Sequence, residues 1–206
     1  LAALEEIRNY IKNGDVTVRD KLYGRTPLFY VCQTDFPHAH IFAEELLRAG
    51  AYVDARSSNG TTPLHMAVTK SSVECAEVLV VLGKADTNAV GPTHGDTTTA
   101  LRLAAMSSHR QRLDMVKLLV EKGNADVNQV INYGDGTVLD LLTSRSRSIS
   151  GGQIIESDVP LVEYLRKHGA RSAHGCCGLG RLCCKFCSFC WSKMCMSCCV
   201  CCTAPN

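Results

Sequence analysis

A phrase of about eight residues recurs four times in the first 170 positions, and this repetition constrains the fold more than any other feature. Two copies read GRTPLFYV from Gly24 and GTTPLHMA from Gly60; a third reads DTTTALRLAA from Asp96 and a fourth, weaker one GTVLDLL from Gly136. The aligned threonines, Thr26, Thr62, Thr99 and Thr137, lie 36, 37 and 38 residues apart. Such a period is typical of solenoid proteins, in which each unit buries its apolar face only by stacking on neighbours.

Each unit predicts two helices separated by a turn. Thr62 is expected to cap the first helix, and Pro63 suits its first position, where a missing N–H costs nothing. Leu64, Ala67 and Val68 then share one helix face. Gly83 is expected to end the second helix in the left-handed conformation. The apolar set of that second helix comprises Val73, Ala76, Val78, Leu79 and Leu82.

These units resemble ankyrin repeats, whose T-P-L-H-x-A signature matches Thr62–Ala67 in full and whose usual period is about 33 residues. The resemblance covers about residues 1–170 and implies an all-α ankyrin-repeat solenoid of helix-turn-helix units joined by β-hairpin-like turns. The longer periods imply short insertions around 34–40 and 107–112, and an exposed loop over Ser144–Asp158. The structural signature residues are Thr26, Pro27, Leu28, Thr62, Pro63, Leu64, His65, Ala67, Thr99 and Leu101.

We predict three segments: a truncated N-terminal repeat over 1–20, four repeats over 21–170, and a basic cysteine-rich tail over 171–206 that is disordered or forms a small module. Leu1–Asn13 is expected to be the outer helix of the truncated repeat. The repeats span about 24–56, 60–92, 97–130 and 135–170. Of 22 basic and 20 acidic residues, four basic and no acidic ones lie from Arg171 onward, so the two parts carry net charges of −2 and +4. This balance argues against nucleic-acid binding by bulk charge.

Catalytic chemistry is not expected. The resemblance implies that His65 is structural, its ring tying neighbouring repeats together through backbone hydrogen bonds, and no nucleophile or carboxylate recurs beside it at catalytic spacing. The sequence also lacks a phosphate loop, a nucleophile elbow, a kinase signature and a dinucleotide fingerprint. We therefore expect a non-enzymatic protein without a cofactor. Cys32 and Cys75 are predicted to be small core residues.

The resemblance implies a protein partner, bound by the exposed side of the inner helices. Tyr30, Met66 and Leu103 would form a row of binding anchors on that side, since aromatic and thioether side chains are common anchors. The alternative is that these three side chains only pack against adjacent helices. Carried over by position, the full set is Tyr30, Gln33, Thr34, Met66, Thr69, Lys70, Leu103, Met106 and Ser107.

Eleven of the 13 cysteines fall between Cys176 and Cys202. Basic residues leave apolar stretches too short for a transmembrane helix, and disulfides fit poorly with a family that is usually intracellular. S-acylation is favoured, because cysteines mixed with aromatic and basic residues resemble cysteine-string membrane anchors. Its candidates are Cys183, Cys184, Cys187, Cys190, Cys198, Cys199, Cys201 and Cys202. Zinc is the alternative, through the C-x2-C spacing of Cys187, Cys190, Cys195 and Cys198.

Three functions follow from these patterns. The first is a cytoplasmic ankyrin-repeat scaffold that binds a protein partner and reaches a membrane surface through its acylated tail. The second is a zinc-binding or thiol-buffering protein in which the tail is the active part. The third is a fragment of a larger multidomain ankyrin protein, with an enzymatic or channel domain before Leu1.

Overall fold

Short helices run in pairs through the computed structural model, which describes residues 14–34, 36, 38–93, 96–131, 136–150 and 156–173. The chain divides into two units, Leu1–Asp126 and Val127–Asn206. The helix expected over Leu1–Asn13 and the cysteines of the tail lie outside the described residues. The predicted limits of the truncated repeat, the four repeats and the tail stay predictions.

In the first unit, inner and outer helices alternate along the chain. The inner helices are α1 (Pro27–Gln33), α3 (Pro63–Thr69) and α5 (Ala100–Met106), and the outer helices are α2 (Ala39–Arg48), α4 (Val73–Glu77) and α6 (Arg112–Lys117). Helices α4 and α6 continue directly into π-helical segments at Val78–Leu82 and Leu118–Lys122. Helix α1 packs against α3 and α3 against α5, while α4 packs against both α2 and α6. The two rows agree with the stacked helix pairs that the repeats predict.

A two-stranded antiparallel hairpin joins the second and third repeats. Its strands are β1 (Val90–Thr93) and β2 (Asp96–Thr99), with Val90 opposite Thr99 and Gly91 opposite Thr98. Polar side chains from the preceding part of the chain hydrogen-bond to this hairpin. The Arg56 guanidinium donates to the Val90 carbonyl at 2.9 Å, and the Thr61 hydroxyl donates to the Pro92 carbonyl at 2.7 Å.

The core of the first unit is built from residues at matching positions of each repeat. Leu28, Leu64 and Leu101 follow their threonines by two residues and are at most 2% exposed. Ala67 and Ala104, three residues further on, are also buried, and their small side chains let the inner helices approach closely. Burial of a leucine side chain contributes about 1.5–3 kcal/mol. The repeat signature is therefore mainly a packing signature.

Both cysteines of the first unit are free and buried, which confirms the prediction that they are core residues. Burial raises the pKa of the Cys32 thiol well above its usual value, and burial also raises the pKa of Cys75. A thiol with a raised pKa carries little thiolate, so neither cysteine is a reactive nucleophile.

Side-chain oxygens link the turns that follow successive outer helices. The Asp54 carboxylate accepts from the backbone N–H of Asp86 at 3.1 Å, and the Asn88 side chain accepts from that of Asp126 at 2.7 Å. The Thr87 hydroxyl adds a bond to the Gly123 carbonyl at 2.7 Å. These bonds satisfy backbone groups of the turns, and each bond joins one turn to the equivalent turn of the next repeat.

The π-helical segments accommodate one extra residue in each of two repeats. Leu79 and Ala85 are six positions apart, whereas the equivalent Leu46 and Ala51 are five apart. A π-helical turn absorbs such an insertion because its hydrogen bonds span five residues instead of four. The N–H of Gly83 accordingly donates to the carbonyl of Val78 at 3.1 Å.

This insertion makes the predicted role of Gly83 wrong. Gly83 has a φ of −76°, and Lys84 takes the left-handed conformation instead, with a φ of 56°. Position 83 has no room for a side chain, since a Cβ there would lie 2.7 Å from Cγ2 of Val53 and 2.8 Å from the Leu79 carbonyl oxygen. The wider turn also leaves Leu82 46% exposed, outside the buried face predicted for it.

The second unit contains helices α7 (Val138–Ser150) and α8 (Val159–Lys167), with a short 3-10 helix at Glu156–Asp158 before α8. The exposed loop expected over Ser144–Asp158 is therefore wrong as far as Ser150, because α7 continues to that residue, and it is also wrong at Asp158, which is fully buried. The hydroxyls of Thr143 and Ser144 donate to carbonyls three positions earlier, which lets polar residues stay in a helix.

The start of α7 is fixed by a reciprocal pair. The Asp140 carboxylate accepts from the N–H of Thr137 at 2.9 Å, and the Thr137 hydroxyl accepts from the N–H of Asp140 at 3.4 Å. Burial alone would raise the pKa of Asp140, but hydrogen bonds from Ser172, Thr137 and Ala173 outweigh it and lower that pKa. The degenerate fourth copy thus has its own version of a capping box.

Candidate partner-binding face

The inner helices present one repeated face to solvent. Counting from the threonine that precedes each helix, the buried leucines stand at position 2, and the predicted partner-binding residues stand at positions 4, 7 and 8. Residues three or four apart lie on one side of a helix, so positions 4, 7 and 8 form a face distinct from the buried one. We call this set of nine residues the inner-helix face: Tyr30, Gln33, Thr34, Met66, Thr69, Lys70, Leu103, Met106 and Ser107.

None of the nine residues is buried. Tyr30 and Met106 are each 40% exposed, Thr34 is exposed, and the other six are half-buried. The three helices that carry them pack side by side in one unit, so the row Tyr30, Met66, Leu103 crosses neighbouring helices at equivalent positions. The structure thus leaves this apolar row at least partly accessible, and its role in binding stays a prediction.

An arginine organises the first-repeat end of the inner-helix face. The Arg25 guanidinium lies 4.4 Å from the ring centroid of Tyr23 and 5.9 Å from that of Tyr30, and its Nη1 donates to Gln33 at 3.1 Å. Arginine over aromatic rings is a favourable cation–π arrangement. Arg25 therefore holds Tyr30 and Gln33, two of the predicted binding residues, in one cluster.

Asp20 fixes the same cluster from its edge. The carboxylate accepts from the Tyr30 hydroxyl at 3.1 Å and from the backbone N–H groups of Tyr23 and Arg25. The hydrogen bond from the Tyr23 N–H is the main cause that lowers the pKa of Asp20. Desolvation and the Asp20 carboxylate raise the pKa of the Tyr30 phenol, so Tyr30 stays a neutral hydrogen-bond donor.

His65 lies beneath the face and is 1% exposed. Its Nδ1 lies 2.8 Å from the Thr62 hydroxyl and its Nε2 lies 3.2 Å from the Thr98 carbonyl. Because a carbonyl can only accept, Nε2 carries the proton and Nδ1 accepts from Thr62. Burial lowers the pKa of His65, which favours this neutral ring. The bond to Thr98 ties the second repeat to the hairpin of the third, as the resemblance implies.

The cap predicted for Thr62 is wrong in one respect. Thr62 has the extended backbone of a capping residue but forms no side-chain cap bond, and its hydroxyl instead donates to Nδ1 of His65. Thr26 and Thr99 do cap their helices, accepting from the N–H groups of Phe29 and Arg102. Phe29 and Arg102 occupy the position of His65 in these two repeats.

Arg25, Asp20 and Tyr23 are members of this site that the repeat pattern did not single out. The sequence signal was available, since Arg25 stands where the other repeats have the buried Thr61 and Thr98. A charged residue at an otherwise buried position, between two tyrosines, indicates a local role. Tyr23 is 50% exposed and enlarges the accessible aromatic surface beside Tyr30.

Neither a metal centre nor a membrane span is found in the part of the chain that the structure describes. Within these residues, no three His, Cys, Asp or Glu side chains are grouped to hold a metal ion. No described helix is both long and apolar enough to cross a bilayer. The cysteines proposed for acylation or zinc, Cys183 to Cys202, lie outside the described residues, and both hypotheses about them stay open.

Paired helices, a connecting hairpin and the recurring threonine, proline and leucine are typical of helical repeat proteins. The comparison with known families agrees with this class. A family model described as "Ankyrin repeats (3 copies)" matches residues 1–91 and 42–131, so the chain belongs to the ankyrin-repeat family. The E3 ubiquitin-protein ligase KEG of Arabidopsis thaliana is 27% identical over 144 residues. That alignment covers 70% of this chain and 8% of the relative, so the chain spans less than a tenth of the relative's length.

Proposed function

We propose that this protein is a non-enzymatic ankyrin-repeat scaffold of the cytoplasm that holds a protein partner on its inner-helix face. Ankyrin repeats generally mediate protein–protein interaction, which supports the coarse function. The observation that carries the specific assignment is the accessible row Tyr30, Met66 and Leu103 on three packed helices. A preformed row of this kind loses little conformational entropy on binding. The proposal includes no cofactor and no nucleic acid.

Two inner-face variants test the assignment. The full chain is used for affinity purification from its native source, the retained protein is identified, and its affinity is then measured with purified components. We expect Tyr30→Ala and Met66→Glu each to weaken binding by about tenfold or more, because a truncated or charged anchor loses its packing. Val81→Glu is the matched control for Met66→Glu, since Val81 lies on the outer row and is 43% exposed.

Unfolding curves must accompany these measurements, so that a lost fold is not mistaken for a lost contact. Binding that survives both inner-face variants while the fold stays intact would contradict the assignment. The same result would favour the alternative in which Tyr30, Met66 and Leu103 only pack against neighbouring helices.

We further propose that S-acylation of the tail holds the scaffold at a membrane surface. The support comes from sequence: from Arg171 onward the chain carries four basic residues and no acidic ones, with eleven cysteines. One acyl chain binds membranes marginally, and a second chain or a basic patch makes anchoring stable. Membrane association that hydroxylamine releases would support acylation. A fully soluble protein with stoichiometric zinc would instead establish the metal-binding alternative.

A further inference from the structure

Three turns between repeats bind the equivalent turn of the next repeat in the same way. The turns begin at buried alanines: Ala51, Ala85, Ala125 and Ala170. The side chain three residues after one alanine accepts a hydrogen bond from the N–H one residue after the next alanine. The pairs are Asp54 with Asp86 at 3.1 Å, Asn88 with Asp126 at 2.7 Å and Asn128 with Arg171 at 2.7 Å. The turn over 170–173 is therefore bound like the earlier turns, although no further copy of the repeat phrase follows it.

Two side chains of the second unit fix the middle of this last turn. We call residues 169–173 the exit segment, because the chain passes through it from α8 into the cysteine-rich tail. The Asn128 side chain accepts from the Arg171 N–H and donates to the Gly169 carbonyl at 3.0 Å. The Thr137 hydroxyl donates to the Arg171 carbonyl at 2.8 Å. Both backbone polar groups of Arg171 are thus bound by side chains.

Asp140 binds the end of the exit segment. Its carboxylate accepts from the Ala173 N–H at 2.7 Å and from the Ser172 hydroxyl. Asp140 occupies the repeat position of His65, which likewise binds the chain 33 residues further on. Burial raises the pKa of Asp140, but these bonds and those from Thr137 outweigh it and lower that pKa. The carboxylate is therefore ionised at neutral pH.

Polar contacts, with little apolar burial, hold the exit segment in place. Ala170 is buried, whereas Arg171, Ser172 and Ala173 are exposed. A segment with few buried apolar contacts opens at a low cost in free energy, without unfolding of the helices beside it. Its opening is therefore governed by the three side chains that bind it.

We propose that the exit segment is a charge-sensitive strap, closed while Ser172 donates to Asp140 and opened by a negative charge at position 172. A carboxylate or a phosphate ester at this position no longer donates to Asp140 and repels its ionised carboxylate. The adjacent Arg171 is exposed to solvent, so its charge is screened and offsets only part of this repulsion.

The strap sets the length of the connection between α8 and the tail. Opening releases five residues, which lengthens that connection by up to about 17 Å. The inference goes beyond the proposed scaffold function and is independent of it, and it holds for an acylated and for a zinc-binding tail alike.

Hydrogen exchange of the full-length protein under reducing conditions tests the strap. Residue-resolved mass spectrometry follows the amides of Arg171 and Ala173, with the amides of α8 as an internal reference. Two matched pairs of variants are compared with wild type: Asn128→Ala with Asn128→Asp, and Ser172→Glu with Ser172→Gln. The second pair differs in charge but not in size. Trypsin cleavage after Arg171 is the second readout.

The expected results separate hydrogen bonding from charge. Asn128→Ala should speed exchange at Arg171 and Ala173 about tenfold. Asn128→Asp should speed it only about threefold, because a carboxylate still accepts from the Arg171 N–H, as Asp54 does from that of Asp86. Ser172→Gln should speed exchange at Ala173 about threefold and Ser172→Glu about thirtyfold. Added salt should reduce the difference between these two variants.

Three outcomes would overturn the inference. Equal exchange in Ser172→Glu and Ser172→Gln would show that the segment does not respond to charge. Unchanged exchange at Ala173 in Asn128→Ala would show that the segment does not open as one unit. An equal acceleration in the amides of α8 would mean that the helix unfolds together with the segment, so that no separate strap exists.

Discussion

At the scale of single residues, one hydroxyl group has two uses in this protein. Thr26 and Thr99 accept hydrogen bonds from helix N–H groups, whereas Thr62 donates its proton to Nδ1 of His65. Three positions after the threonine, Phe29 and Arg102 offer no acceptor comparable to the imidazole of His65. Thr137 combines the two uses, since its hydroxyl donates to the Arg171 carbonyl and accepts from the N–H of Asp140.

The buried imidazole makes stability depend on pH. Burial lowers the pKa of His65 from its usual 6.5, so the ring is neutral in both the folded and the unfolded chain above that pH. As the pH falls below 6.5, the unfolded chain binds a proton that the folded chain does not, and the free energy of unfolding decreases. One such group contributes a slope of at most about 1.4 kcal/mol per pH unit.

His65→Phe tests this dependence, because it reproduces the pairing of Thr26 with Phe29. At pH 7.5 we expect the free energy of unfolding to fall by about 1–3 kcal/mol, owing to the lost bond to Thr98. The further loss of stability between pH 7.5 and 5.5 should be smaller in the variant than in wild type. Urea unfolding at several pH values measures both; equal pH slopes would show that His65 is not the titrating group.

At the scale of secondary-structure elements, the outer helices show how a repeat varies in length. The first repeat ends its outer helix with Leu46, three residues, Gly50 and Ala51, and Gly50 has a φ of 92°. The second and third repeats insert Lys84 and Asn124 between the glycine and the alanine, and these two residues take the left-handed conformation. A lysine there carries a steric cost that glycine does not.

Deletion of Lys84 should therefore convert the second outer helix to the form of the first. The remaining sequence places Gly83 directly before Ala85, as Gly50 stands before Ala51. We expect the variant to fold, with a Tm equal to or a few degrees above that of wild type, because glycine takes the left-handed position without a Cβ penalty.

Circular dichroism and thermal unfolding measure that outcome. Lys84→Gly is the companion variant, which keeps the extra residue and removes only the backbone strain. A deletion variant that is unfolded, while Lys84→Gly is stable, would mean that the extra residue is needed for packing and is not simply accommodated.

At the scale of the whole molecule, stability is expected to rest on contacts between neighbouring repeats rather than within them. Leu64 is 1% exposed in the central inner helix α3, which packs against both α1 and α5. Loss of this side chain removes contacts on both sides of one repeat.

Leu64→Ala should lower the free energy of unfolding by about 2–5 kcal/mol, as for other fully buried leucines. Val159→Ala, in which the residue is 45% exposed, is a control that should change it by less than about 0.5 kcal/mol. Urea unfolding followed by circular dichroism gives both values. An unchanged midpoint for Leu64→Ala would contradict the stacking model.

The recurring sequence pattern predicted the helix pairs well, because the threonine and leucine of each copy, with proline in the first two, mark the start of a helix and its buried side. Insertions around 34–40 and 107–112 coincide with the longer turns before α2 and α6. Sequence reasoning failed where one inserted residue changes the local geometry. Gly83 was predicted to be the left-handed cap, and only an alignment of Leu79 and Ala85 with Leu46 and Ala51 reveals the extra residue. It also failed at Ser144–Ser150, whose polar composition conceals a helical continuation.

The candidate face was predictable by position, since positions 4, 7 and 8 of each helix follow from helical periodicity. The roles of Arg25 and Asp20 were not, because they depend on a turn that brings Asp20 to the Tyr30 hydroxyl. A repeat alignment treats such residues as variable. Only the folded chain shows that they hold two of the predicted binding residues together.

The extra residues at the ends of the outer helices also affect how the sequence of the inner-helix face can change in evolution. A single-residue insertion in the middle of an inner helix would rotate every later side chain by about 100° and rearrange the inner-helix face. The same insertion after Gly83 or Gly123 leaves Met66 and Leu103 at their original distances from their threonines. Repeats of this protein can therefore gain or lose a codon at the outer-helix terminus without a change in the sequence of the inner-helix face.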